Sequence, residues 1–138
     1  MMLILPQRLA AEIEAEARAA FPRECCGLIE GVWEGEKARG LALHPAPHGN
    51  EHRFAIAPEL HFAAQKKART AGHRLIGCYH SHPGGLARPS GEDRKGAGEE
   101  NFLWLIVALR SPDAPVALTA WRYSGADFEE IGWATGAD

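Results

Sequence analysis

The 138-residue sequence predicts an α+β (mixed α/β) fold, with helices packed on a curved sheet. Two observations lead there. Segments with helical spacing alternate with segments of strand character in the order α-β-β-(β)-α-β-α-β-β-β, and such an order needs helices laid on a sheet. The apolar fraction of 46% and charged fraction of 24% are those of an ordinary globular protein. The length fits one domain over residues 1–138 and can bury a core without disulfide staples.

The first helix is expected over Ala10 to Ala20. Leu9, Ile13, Ala17 and Ala20 fall on one face, Glu12, Glu14 and Arg18 elsewhere, and Pro22 ends it. Cys25 to Trp33 reads as a strand, and Glu34-Gly35-Glu36 as a turn into a second strand, Ala38 to Leu43. Pro45 to His52 reads as a loop and Arg53 to Ala57 as a short strand. A second helix, Pro58 to Ala71, starts with Pro58 and stops at Gly72. Its buried stripe is expected to be Leu60, Ala63, Ala64, Ala68 and Ala71, and its wet face Gln65, Lys66, Lys67 and Arg69. Arg74 to Ser81 is the next strand, followed by a Gly/Pro loop and a short helical segment from Ser90. Phe102 to Leu109 and Pro115 to Tyr123 are the clearest late strands, and Phe128 to Trp133 reads as an edge strand.

Composition also narrows the function. A net charge of −3 and a pI of about 6.2 give no basic field that would recommend nucleic acid as a partner. The longest apolar stretch, Phe102 to Leu109, is too short to span a membrane. Met1 to Leu5 runs at once into a charged segment, unlike a signal peptide. Three cysteines, two of them adjacent, suit a reducing cytoplasm better than a disulfide framework.

Chemistry concentrates in Gly77-Cys78-Tyr79-His80-Ser81-His82-Pro83. Residues two apart in a strand share a face, about 6.5–7 Å apart at Cα, so both imidazoles can reach one ion. Asp93 follows eleven residues after His82, beyond a loop that Gly84, Gly85 and the prolines can reverse. Two imidazoles and one carboxylate leave one position open on a tetrahedral metal, the pattern of a catalytic rather than a structural zinc. The same three ligand types also make the facial triad of non-haem iron enzymes. With seven histidines in the chain, a His-x-His arises readily by chance, and Ser90 with Asp93 also reads as a capping box. The residues alone therefore leave open both a metal site and a plainly capped helix. Cys25, Cys26, Trp104 and Trp121 read as core, Cys78 as packing near the site, and His44, His48, His52, His61 and His73 as surface or loop residues.

His80-Ser81-His82-Pro83, six residues, then Ser90-Gly91-Glu92-Asp93 resembles the His-x-His-Pro-x6-Ser-x-x-Asp signature of the JAMM (MPN+) metalloproteases. Pro22 to Gly31 is similar to the segment that carries the family's upstream glutamate, with Glu24 in that position. Phe54-Ala55-Ile56-Ala57-Pro58 resembles the strand-to-helix junction of bacterial members. The resemblance covers nearly the whole chain and implies a cytidine-deaminase-like MPN domain with a curved, mostly antiparallel sheet. It implies one zinc ion held by His80, His82 and Asp93, with Glu24 as general base and proton shuttle and Ser90 as oxyanion donor. The compact chain resembles the short bacterial type. The substrate so implied is a ubiquitin-like or sulfur-carrier protein ending in Gly-Gly, or its conjugates. A non-catalytic MPN scaffold is the rival within the family, although such members typically lack the metal residues. The oligomeric state is left open, a homodimer included.

Overall fold

The computed structural model describes residues 1–47 and 56–137. The expected loop from Pro45 runs beyond those residues, as do His48, His52 and residues 53–55 of the expected short strand; Ile56 and Ala57 form no strand.

The chain order is β1 (Met2–Pro6), α1 (Gln7–Ala20), β2 (Cys26–Glu34), β3 (Lys37–Pro45), α2 (Pro58–Thr70), β4 (Arg74–Pro83), α3 (Gly91–Gly96), β5 (Leu103–Leu109), β6 (Ala117–Tyr123) and β7 (Phe128–Gly136). The strands form one closed sheet in the order β1-β3-β2-β4-β5-β6-β7. The pairs β2–β3, β2–β4, β5–β6 and β6–β7 are antiparallel. Those of β1 with β3 and β7, and of β4 with β5, are parallel. The expected mixed α/β class holds, as does the mostly antiparallel pairing.

One strand was not expected. Met2–Pro6 runs straight into α1 and pairs with strands far along the chain, Leu3 opposite both Ala38 and Trp133. Its Leu3 and Leu5 are fully buried. Nor does β7 stop at Trp133: it continues through Gly136, where it still pairs with Pro6 of β1.

Strand alternation divides the core in two. Leu103, Leu105, Val107 and Leu109 of β5 join Ile13, Ala17 and Ala20 of α1, with Ile29 and Tyr79, in the larger cluster. Trp104 faces the other way and clusters with Leu28, Cys78, Phe128 and Ala64 of α2. Both faces of β5 are therefore covered, which is why Leu103–Leu109 is a continuous apolar run rather than an alternating one. The buried stripe of α1 is as expected. On α2 only Ala64 and Ala68 are buried, while Ala63 and Ala71 are exposed, because the helix touches the sheet along a narrow strip.

The β2 register shifts around Glu30, and a side chain at Gly31 would collide with the Arg39 carbonyl. At this bulge Glu30 is 4% exposed. His44 Nε2 and His73 Nδ1 donate to its two carboxylate oxygens at 2.8 and 2.6 Å. His44 is thus a strand residue in a buried cluster rather than a surface histidine. Burial alone would raise the Glu30 pKa, but the hydrogen bonds from His73 and His44 hold it below the ordinary carboxylate value. No helix among the described residues is long and apolar enough to cross a membrane.

Candidate metal centre

The centre forms where β4 ends. His80 lies opposite Cys26 of β2 and Ile106 of β5, so it is enclosed on both flanks and fully buried. Trp104 closes its base with an edge contact at 5.7 Å between ring centroids. Strand alternation sends His82 to the same side, two residues nearer the strand end and partly exposed. Ser81 points the opposite way. Its Oγ accepts from the Cys25 backbone N–H at 2.8 Å, and its own N–H donates to the Cys25 carbonyl at 3.0 Å. Those two bonds lock the residue before β2 onto β4, next in sequence to Glu24. Sequence reasoning assigned Ser81 no role, because its side chain faces away from the two histidines.

Chain reversal follows at once. Gly84 adopts φ +74°, a conformation costly for other residues. A Cβ on Gly85 would lie 3.2 Å from the His82 Cβ, so the small residue lets the loop fold close over that ring. Then α3 begins with Ser90 as N-cap. The Ser90 Oγ accepts from the Asp93 N–H at 3.1 Å, and the Ser90 N–H donates to Asp93 Oδ2 at 2.8 Å. The capping box is real, and it serves the metal residues: its carboxylate half is Asp93 itself, 5% exposed.

The three side chains converge. His80 Nε2 and His82 Nε2 are 2.9 Å apart, and they lie 3.1 and 3.2 Å from Asp93 Oδ1 and Oδ2 respectively. These are the only three His, Cys, Asp or Glu side chains among the described residues grouped closely enough to hold one metal ion. Ligands about 2.0–2.1 Å from a zinc ion in tetrahedral geometry are about 3.3–3.4 Å from one another, so the spacing fits. The chemistry of the donors fits too. A backbone carbonyl can only accept, so His82 Nδ1 carries the hydrogen in its 2.7 Å bond to the Leu86 carbonyl. In the neutral ring Nε2 then presents its lone pair toward His80 and Asp93. A histidine ligand held this way by its other nitrogen is a recurrent feature of metal sites.

Titration follows position. Burial lowers the His80 pKa, because a buried imidazolium lacks solvation. Burial acts on His82 in the same sense, yet hydrogen bonding to Asp93 and to the Leu86 carbonyl raises it overall. The Glu24 charge adds to that rise. Burial would raise the Asp93 pKa, but the hydrogen bonds from His80 and His82 hold it well below the usual carboxylate range. Cys25, Cys26 and Cys78 are all buried, and no disulfide joins them. Burial raises the Cys78 thiol, so it stays protonated beside His80 in the packing role expected of it.

Fold and donor set define a class of protein. Residues 6–124 match the family described as prokaryotic homologs of the JAB domain, and the chain belongs to it: it is a hydrolase of the short prokaryotic JAMM (MPN+) type. Among similar proteins, a desampylase of Haloferax volcanii is 32% identical over 113 residues, covering 80% of this chain and 76% of the relative. A probable TtuB-protein conjugate cleaving protease of Thermus thermophilus is 34% identical over 98 residues, 70% of this chain and 64% of the relative. A solution structure from Desulfitobacterium hafniense superimposes with a TM-score of 0.87 at 27% identity, over 99% of this chain and 94% of the other. A JAB1/MPN domain protein of Archaeoglobus fulgidus shares the fold with a TM-score of 0.57 at 21% identity, over 99% and 97%.

Proposed function

We propose that residues 1–138 act as one zinc-dependent peptidase or isopeptidase domain. It hydrolyses the bond after the C-terminal Gly-Gly of a ubiquitin-like or sulfur-carrier protein. The observation that carries the reading is the convergence of two imidazole nitrogens and one carboxylate within 2.9–3.2 Å. The substrate class rests on the names of the similar proteins, a desampylase and a conjugate-cleaving protease.

His80, His82 and Asp93 hold the metal. A zinc ion, if bound there, would supply Lewis acidity and a more acidic water as nucleophile. Glu24 accepts the proton of the attacking water at its carboxylate and delivers it to the departing amine, so amide and water become carboxylate and amine. Ser90 Oγ already accepts from the Asp93 N–H. Its own O–H is left to donate to the oxyanion that develops on the scissile carbonyl. An extended tail bearing two glycines can approach this narrow strand end without a side chain meeting the loop.

The test is incubation of the zinc-loaded protein with Gly-Gly-ended carriers bearing a C-terminal peptide, a terminal cysteine or a conjugated lysine, followed by intact-mass measurement. The expected product is a carrier that ends at Gly-Gly, with cleavage stopped by chelation and restored by zinc. Iron in the protein as purified, with oxygen uptake and no cleavage of any carrier, would overturn the proposal.

A further inference from the structure

We infer that Thr119, oriented by Trp121, is a positioning residue for the metal centre, acting on His82 through the loop that joins the ligands. The inference rests on the proposed metal-binding role of His80, His82 and Asp93.

Thr119 lies on β6 opposite Ile106, and Ile106 lies opposite His80. The three share one row across the sheet, which puts Thr119 two strand spacings, or about 10 Å, from His80 on the same face. Trp121 Nε1–H donates to Thr119 Oγ1 at 2.8 Å. With that lone pair engaged, the Thr119 hydroxyl donates to the Ala87 carbonyl at 2.7 Å. Ala87 follows Leu86, whose carbonyl receives His82 Nδ1–H. The two carbonyls belong to successive peptide planes hinged at the Ala87 Cα. Pinning the second to a strand of the sheet restricts the first.

Side-chain packing does not hold this stretch. Leu86 is 64% exposed, and Ala87 has only a methyl group to bury. Ahead of the buried Pro89 the loop is held by backbone polar groups: Gly84 N–H to the Leu109 carbonyl at 2.8 Å, Gly85 N–H to the His82 carbonyl at 3.2 Å, and the Thr119 bond. The first two restrain the start of the loop. Thr119 is the side chain, among the described residues, that restrains its middle, where the His82 acceptor sits.

A partner hydrogen-bonded directly to a metal-binding histidine commonly contributes about 10- to 100-fold to metal affinity. Acting one peptide farther out, Thr119 should contribute about tenfold. The experiment titrates metal-free protein with Co2+ and Zn2+, recording the dissociation constant and the Co2+ absorption bands, for wild type, Thr119→Val, Thr119→Ser and Trp121→Phe. Thermal midpoints of the metal-free proteins are recorded in parallel.

Thr119→Val keeps the shape and loses the donor. It should weaken binding about tenfold and shift the Co2+ bands, while Thr119→Ser restores both. Trp121→Phe, which frees the hydroxyl to turn away, should fall between them. Wild-type binding with unchanged affinity and spectrum in Thr119→Val would overturn the inference and leave the metal site standing. So would a Thr119→Ser protein as weak as Thr119→Val, since the loss would then not follow the hydroxyl. A wild-type protein that binds neither metal would overturn the metal-site reading itself.

Discussion

Ser90 carries two proposed duties, and they can be separated by substitution. As N-cap its Oγ accepts the Asp93 N–H at 3.1 Å; as oxyanion donor it would use the hydrogen left over. Replacing an N-cap serine by alanine costs about 1 kcal/mol, and by glycine only a few tenths. Glycine tolerates the Ser90 backbone at φ −92°, ψ 176°, which is ordinary extended chain. The other half of the box, Ser90 N–H to Asp93 Oδ2, uses the backbone and survives every substitution. Removing an oxyanion donor, by contrast, costs about 10²–10³ in kcat. Ser90→Ala should therefore lose about 1 kcal/mol, or about 3–5 °C in a chain of this size, together with that rate. Ser90→Gly should lose the same rate with almost no change in midpoint, and Ser90→Thr should keep both. The assay is kcat on a carrier with a defined C-terminal extension, with zinc content and thermal midpoint taken on the same preparations. Ser90→Gly at full zinc occupancy with kcat within about threefold of wild type would refute the catalytic duty and leave only the cap.

Two further outcomes are expected. Glu24→Gln should lower kcat by about 10²–10⁴ at unchanged zinc content, because Glu24 handles the proton and is not a ligand; elemental analysis beside the rate measurement checks this, and near wild-type activity would contradict it. Glu30→Gln should destabilise the protein by about 1.5–3 kcal/mol at neutral pH, since a glutamine cannot accept from both His44 and His73. Because the folded pKa of Glu30 lies below its unfolded value of about 4.5, its contribution is complete above that pH and is lost as pH falls through the folded pKa. Urea denaturation from pH 7 to pH 3 should therefore show the stability gap narrowing in acid; a constant gap would mean that Glu30 is not held ionised by the two histidines.

What the sequence disclosed depended on how local the cause was. The His80/His82 pair follows from strand period alone, and Ser90 with Asp93 from the first turn of a helix, so both could be read from short windows. Their convergence does not follow from spacing alone, since it depends on the loop held by Gly84 and by the Leu86 carbonyl; the resemblance to the JAMM signature implied it. β1 was illegible for a related reason. Five residues have no period to speak of, and Leu3 is buried by strands that arrive thirty-five and a hundred and thirty residues later. His44 was read as a surface or loop histidine because the residue that binds it, Glu30, lies at a register shift that no composition reveals. Thr119 was passed over as one residue of a strand. Its partner is a backbone carbonyl, and a carbonyl leaves no mark in sequence.

The placement of the centre follows from one parallel pair. β4 and β5 run the same way, so the chain leaving β4 must cross back before β5 can begin. That crossing starts at the carboxyl end of β4, where His80 and His82 stand, and it contains α3. Asp93 thus arrives on the connection that the topology already requires. Glu24 precedes β2, which is joined to β4 by the Cys25–Ser81 bonds and by the strand pairing that starts at Cys26 and His80. The proposed metal residues and the proposed proton carrier therefore meet on β4, where Ser81, the partner of Cys25, stands between His80 and His82. Loosening the Cys25–Ser81 tie should act on the proposed ligands and on Glu24 together, whereas loosening the loop at Thr119 should act first on His82.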